Sequence, residues 1–374
     1  VRVGSDTLRK VLAAGGFDHR YVADIYYAGE RRLPDVPITD PKLDERGDAK
    51  IQQSGSATIV WTDDYGKSVT PRDISDVFAP FGSELYLFSV ISVGTRFEER
   101  VPLGQYQITR VPSAYDEQQQ FRGEWITTGS VVELEFMERL SGVAEDRFDV
   151  PRAVTSLDSG WDELGRLTSL QLVRSVPDQP IKRTVAYEED RLDATYELSD
   201  IILDGIPHMT ADGALSLRPK TWPPPVDTLQ SGENGTLVSV GHAMTPEGRY
   251  NRVAFRGKSN DMEVILAAVE ITDGPLRARN PDGTRSPFGR RTKFVASDFI
   301  TTNAQAFEYV DRELPRVAAQ NIVRRPVTEL FNPLRERGDV IRVKRATESF
   351  LARVVDISRD SSATQGLEVD ALNV

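Results

Sequence analysis

"ELYLFSVISV", residues 84 to 93, decides how this chain is read. Alternation puts Leu85, Leu87 and Ile91 on one face of an extended strand and Tyr86, Phe88 and Val90 on the other. Both faces are apolar, and a strand of that kind needs cover on both sides. It belongs inside a barrel or at an interface, and Leu87 and Phe88 are the residues placed at that interface. Outward from it the chain keeps to strands. "RYVADIYYAGERRL" reads as a hairpin about Ala28 and Gly29, and "SATIVWTDDYGKSV" as a strand turning at Asp64 to Gly66. "GQYQITRV" is a further strand, the polar "PSAYDEQQQFRGE" a loop, and "SVVELEFMERL" a strand with Val132, Leu134 and Phe136 inward and Glu133 and Glu135 outward.

Helical spacing takes over in places. A short first helix carries Leu8, Val11 and Leu12 and stops at Gly15 and Gly16. "DSGWDELGRL" and "YEEDRLDATYELSDIILDG" read as helices, the second ending at Gly205. "HMTADGALSLRP" is a hairpin on a two-residue Asp212-Gly213 turn, and "TWPPPVD" a stiff connector. "TLVSVGHAM" and "YNRVAFRGK" are strands. A last helix spans "TTNAQAFEYVDRELPRVAAQN", with a stripe of Phe307, Val310, Leu314 and Val317 behind a Thr or Asn cap and a kink at Pro315. "GDVIRVK", "SFLARVVDIS" and "GLEVDALNV" form a closing meander.

At 374 residues the chain exceeds what one core fills, so two or three domains are expected. Its 57 acidic against 46 basic residues, a net charge of −11, argue against a protein that neutralises phosphates. There is no cysteine, hence no disulfide, thiolate metal site or cysteine nucleophile. No apolar run approaches the ~20 residues that span a bilayer, and no signal peptide is visible, so a soluble protein is expected, made in the cytoplasm if it is bacterial or viral and without membrane insertion. His19, His208 and His242 each stand alone, and none of the common hydrolase, metalloprotease or nucleotide-binding motifs occurs. No catalytic, cofactor-binding or metal-binding residue is therefore assigned, and no cofactor. The triplets Arg46-Gly47-Asp48 and Arg337-Gly338-Asp339 read as turns before strands rather than adhesion signals, and Asn234 as a turn rather than a glycan acceptor.

Several segments, taken in order, resemble the hub or minor tail proteins at the tail tip or baseplate of long-tailed bacteriophages, in the form found in phages of actinobacteria. They are "YNRVAFRGKS" with its Asn251-x-Val253, the acidic strand "VEITDGP", "RSPFGRRTKFVASDFITTNAQAFEYVDREL", and "FNPLRERGDVIRVK". Upstream, "VELEFMERLSGVAEDRFDVPRAV" and "DGALSLRP" resemble further stretches of that family. No lysozyme or peptidase insertion is recognisable. The resemblance implies a mainly β chain with α+β insertions: two related β-barrel domains and a mixed α/β region. The first barrel would occupy 1–112, the mixed region 113–234 with 259–321, and a discontinuous second barrel 235–258 with 322–374. It also implies a non-enzymatic homotrimeric ring in the virion, at the distal end of the tail, that closes a sixfold tube. Its partners would be the distal tail protein, the tape measure protein and tip or fibre proteins, with DNA passing the lumen without specific binding. A tail-associated cell-wall hydrolase and a carbohydrate-binding tail module are the alternatives.

The loop "NPDGTRSPFGRR" (280–291) concentrates positive charge on this acidic chain. Arginine forms forked bonds to carboxylates. Arg285, Arg290 and Arg291 are accordingly expected to dock the loop on a neighbouring protomer or tail protein, with Pro287 and Phe288 as an apolar anchor.

Overall fold

The computed structural model describes residues 2–61, 67–182, 185–233, 235–242, 249–259, 262–318 and 322–372. The turn expected at Asp64 to Gly66 and the one at Asn234 lie outside them. The chain is mainly β, with 47% of residues in strands against 15% in helices.

Helix α1 (Asp6–Ala14) is capped by the Ser5 hydroxyl, which accepts from the Leu8 N–H, and ends at Gly15 with φ 71°. Strands β1 (Asp18–Tyr27), β2 (Glu30–Glu45), β3 (Gln53–Trp61), β4 (Ser83–Val93), β5 (Phe97–Phe121) and β6 (Glu124–Glu138) follow. Their antiparallel pairing runs β1-β4-β5-β6-β3-β2, and β2 returns to β1, so six strands form a closed circuit. Strand β2 manages this by bending. It pairs with β1 up to Ile38 and with β3 from Thr39, and Asp40, at φ 45°, sits in the register shift that follows. Leu85, Leu87, Ile59, Val132, Leu134 and Phe136 fill the interior, closed off by Leu8 and Leu12 of α1 and by Phe331 and Leu334 from far along the chain.

The polar stretch after Val111 is not a loop. Strand β5 continues to Phe121 and turns at Arg122 and Gly123 (φ 51° and 89°) into β6. The period-two signal is hidden here because both sides of this ribbon face water, so no apolar face exists to mark it.

A mixed segment follows: α2 (Leu140–Glu145), β7 (Arg152–Ala153), α3 (Gly160–Thr168), β8 (Leu172–Val173), β9 (Ala186–Tyr187), α4 (Arg191–Ile201), β10 (Gly205–Met209) and β11 (Leu215–Pro219). Trp161, Leu164, Leu198 and Leu217 centre its core. The β10–β11 turn is wider than two residues: the Thr210 and Ala214 backbones bond each other, and of the pair only Gly213 has positive φ, 74°.

Strands β12 (Asp227–Gln230) and β13 (Leu237–Val240) come next, then β14 (Arg252–Ser259), β15 (Met262–Glu270), β16 (Thr292–Ala296) and helix α5 (Asn303–Ala318). Strand β14 does not join the C-terminal strands as expected. It lies between β15 and β16 in a separate sheet, because Val253, Ala254 and Phe255 are all fully buried and only a central strand under a helix provides that cover. The buried residues of α5 are Ala306, Tyr309, Val310, Glu313, Leu314 and Ala318; Phe307, expected in the stripe, is 56% exposed. The Thr302 hydroxyl accepts from Gln305 N–H at the helix start, and Pro315 lies inside the helix.

The last strands are β17 (Ile322–Leu330), β18 (Val340–Lys344), β19 (Ser349–Arg359) and β20 (Thr364–Leu372). With β12 and β13 they give the order β12-β18-β19-β20-β17-β13, again six strands. Leu229 from one edge and Leu237 from the other enter the same core, so this sheet curls round its own interior without closing. Residues 43–45 of β2 pair with 357–359 of β19, which fuses both units into one 12-stranded sheet.

Candidate functional site

The short β2–β19 contact is reinforced by a buried chain of charges. Arg2 donates to the carbonyls of Pro333 (3.1 Å), Arg335 (2.8 Å) and Leu103 (3.1 Å) and to Glu45 Oε1 (3.0 Å). Arg359 donates to that same Glu45 oxygen (2.6 Å), to the Arg335 carbonyl (2.6 Å) and to Gln365 Oε1 (3.1 Å). Gln365 donates to Glu329 (2.6 Å), and Arg335 holds Glu329 by two bonds (3.0 and 2.8 Å) and reaches Asp227 (2.8 Å). Burial by itself would raise the Glu45 carboxyl. The flanking Arg2 and Arg359 outweigh it and hold the group far below the usual carboxylate range. Fully paired charges of this kind fix geometry more than they add stability.

The two Arg-Gly-Asp triplets meet at this joint. Arg337 donates to the Arg46 carbonyl and to Gln52 Oε1, Gly47 N–H donates to Asp356, and Arg337 and Asp339 are buried. The second triplet is therefore closed to solvent, while Arg46, Gly47 and Asp48 lie exposed in a bend tied to Asp356 and Arg337. Beside them Glu138 accepts from Gln52 N–H (2.6 Å), while its Oε2 is buried without a partner. Burial pushes this carboxyl up to about 7, against the pull of the Gln52 N–H and of Arg337 and Arg218.

The arginine loop is built rather than loose. Buried Asn251 donates to the Leu276 (3.0 Å) and Gly289 (2.7 Å) carbonyls and accepts from Arg291 N–H (2.7 Å). Ser286, also buried, accepts from Gly289 N–H (3.0 Å) and donates to Ala278 (3.3 Å). This frame puts Arg279, Arg285, Arg290 and Arg291 around one open depression of about 430 Å³, with Phe288 in its wall. Arg290 lies 3.3 Å from Glu270, Arg291 stacks over Phe288 at 4.6 Å, and Pro287 is exposed. Among the described residues Arg279 and Arg285 make no ion pair. Burial, then Arg290 and Arg279, hold the neighbouring Arg252 guanidinium below its ordinary range in spite of Glu270. The sequence thus located this charge cluster, with Arg279 at its flank, but not Asn251 as its organiser.

Leu87 does not belong to an interface. It is 0% exposed inside the first closed unit, so a change there acts on the fold of the protomer. Phe88 faces the other way, half-buried beneath Arg100 (3.7 Å) and beside Tyr86 (4.3 Å). The structure does not bring the Leu87–Phe88 pair and the arginine loop together into one site.

The histidines stay apart. His19 stacks on Phe331 (4.0 Å), His208 is half-buried with its Nδ1 enclosed, and His242 lies against Arg325. Among the described residues no three His, Asp or Glu side chains converge as a metal ion would need, and no helix is long and apolar enough to cross a membrane. Glu135 pairs with Arg110 (3.7 Å) on the outer face of β6, as a strand carboxylate does.

The fold, one closed and one curled six-stranded unit with a mixed α/β segment, is similar to that of solved phage tail proteins. The tail protein from Neisseria meningitidis MC58 matches over 94% of this chain and 96% of its own, with 12% identity and a TM-score of 0.60. The 43 kDa tail protein of prophage MuSo2 from Shewanella oneidensis matches over 94% and 98%, with 9% identity and a TM-score of 0.57. At such identity the likeness is one of fold. No family model matches the chain, and no curated protein matches it.

Proposed function

We propose that this protein is a structural, non-enzymatic subunit of a phage tail, the hub at the distal tip, of the actinobacteriophage type its loop and turn motifs resemble. Three copies form a ring, and the six β units so assembled, two per copy, continue the sixfold tail tube as barrels. The observation that carries this reading is the likeness in fold, along 94% of the chain, to two tail proteins. The joint of Arg2, Glu45 and Arg359 supports it further, since holding two tube-like units at one fixed angle is what a ring with alternating units requires. The distal tail and tape measure proteins lie above the ring and tip or fibre proteins below. DNA slides past a chain whose charge of −11 repels phosphate.

The arginine loop is the contact to a neighbouring tail subunit, where Arg279 and Arg285 meet carboxylates as Arg290 already meets Glu270. Sedimentation of the purified chain is expected to give three times the protomer mass, and a strictly monomeric protein at all concentrations would overturn the hub reading. Arg290→Glu with Arg291→Glu should leave the protomer folded by circular dichroism and cut its incorporation into tails at least tenfold. Normal incorporation would reduce the loop to a connector.

A further inference from the structure

The β5–β6 ribbon runs past the rest of its sheet. Strand β4 pairs with β5 only as far as Gln107, and β3 pairs with β6 only from Ser130, so residues 117 to 128 form two strands with no neighbour on either edge among the described residues. They carry Phe121 and Trp125, 58% and 68% exposed, and Ile126 beside them. Two isolated strands are marginal in water, and large apolar side chains gathered on them call for a partner.

The same chain holds a matching recess at the foot of the ribbon. Pro71, Ile74, Pro80 and Phe81 on one side and Val111 and Pro112 on the other line an open groove of about 540 Å³. Ile74 and Phe81 are 66% and 61% exposed. The groove wall is rigid: Asp116 accepts from Ser68 (2.6 Å), Thr70 (2.7 Å), Ser130 (2.8 Å) and Arg72 (2.6 Å). Arg72 and Arg110 stand at its rim, each already paired within the chain, to Asp116 and to Glu135, and the ribbon carries Glu117 and Glu124.

A ribbon cannot fill its own groove. Seven residues separate Ala114 in the groove wall from Phe121, about 23 Å of strand at roughly 3.3 Å per residue, directed away from it. Another molecule has to supply the filling. Because each chain carries one ribbon and one groove, a second copy satisfies both exposed surfaces at equal stoichiometry, and a head-to-tail contact repeated round a ring leaves neither open.

We infer that the ribbon tip of one protomer, through Phe121, Trp125 and Ile126, seats in the groove between Ile74, Phe81 and Pro112 of the next copy. This rests on the ring reading above and specifies which surfaces close it. The absence of cysteine makes the test clean. Trp125→Cys and Ile74→Cys, made singly and together, are treated with a short bis-maleimide, whose span tolerates a few Å of misplacement. Mixing the two single variants should give a covalent pair containing one of each, and the double variant should give a covalent trimer. A ring that forms by sedimentation but yields no such cross-link overturns the ribbon contact and leaves the hub reading standing. A Trp125→Cys variant that links only to itself also overturns it. A chain that neither assembles nor cross-links overturns both. As a second measurement, Phe121→Ala with Trp125→Ala should keep the thermal unfolding of the protomer while lowering the assembled fraction at least tenfold; an unchanged fraction counts against the inference.

Discussion

Glu45 is the residue on which most converges. Two arginines from opposite ends of the chain share one of its oxygens, and neither arginine can reach water. Glu45→Gln would leave Arg359 buried with no compensating charge and Arg2 with only Glu336 at 3.9 Å, so it should cost about 3–5 kcal/mol in chemical denaturation. The depressed Glu45 carboxyl contributes stability that is present above its ordinary range and lost as pH falls below it. Glu138 has the opposite sign. Its folded value of about 7 lies above its ordinary 4.5. The stability contributed by the neutral form is therefore complete below about 4.5 and disappears as pH rises through 7. Unfolding curves of the native chain between pH 5 and pH 8 should show a loss of about 1–3 kcal/mol that Glu138→Gln lacks. A native chain with the same pH slope as the variant would show that Glu138 is solvated.

Among the elements, the arginine loop depends on Asn251, one amide that ties the start of β14 to Leu276, Gly289 and Arg291. Asn251→Ala removes three bonds to buried backbone, at about 1–3 kcal/mol. Its clearest effect should be local, with tryptic cleavage after Arg279 or Arg285 at least tenfold faster than in the native chain. Unchanged cleavage would mean the turns hold the loop unaided. This element also shows what a sequence can and cannot disclose. Its charge is visible in the letters, since six of the residues 277–293 are basic and one is acidic. The buried amide that shapes it is forty residues away from Arg291 and looks like any strand-edge asparagine. The ribbon escaped notice for a related reason. Alternation betrays a strand only when one face is apolar, and "EQQQF" is wet on both.

At the scale of the molecule, the mainly β class could be read because alternation is local, whereas closure of the first circuit could not, since it depends on β1 meeting β2 and β4 at once. The same holds for the joint. Its charged residues are scattered singly through the sequence, each indistinguishable from a solvated one until the fold gathers them. That gathering has a consequence in time. Arg2 is synthesised 331 residues before Pro333 and 333 before Arg335, and Arg359 arrives later still. Throughout elongation, then, a nascent chain holds Glu45 with Arg2 but without its downstream anchor Arg359, and the first circuit lacks the Phe331 and Leu334 that seal it. Domains ordinarily mature in the order they leave the ribosome. Here the earliest part must wait for nearly the latest, so a chain stalled or clipped before residue 333 never acquires the rigid joint.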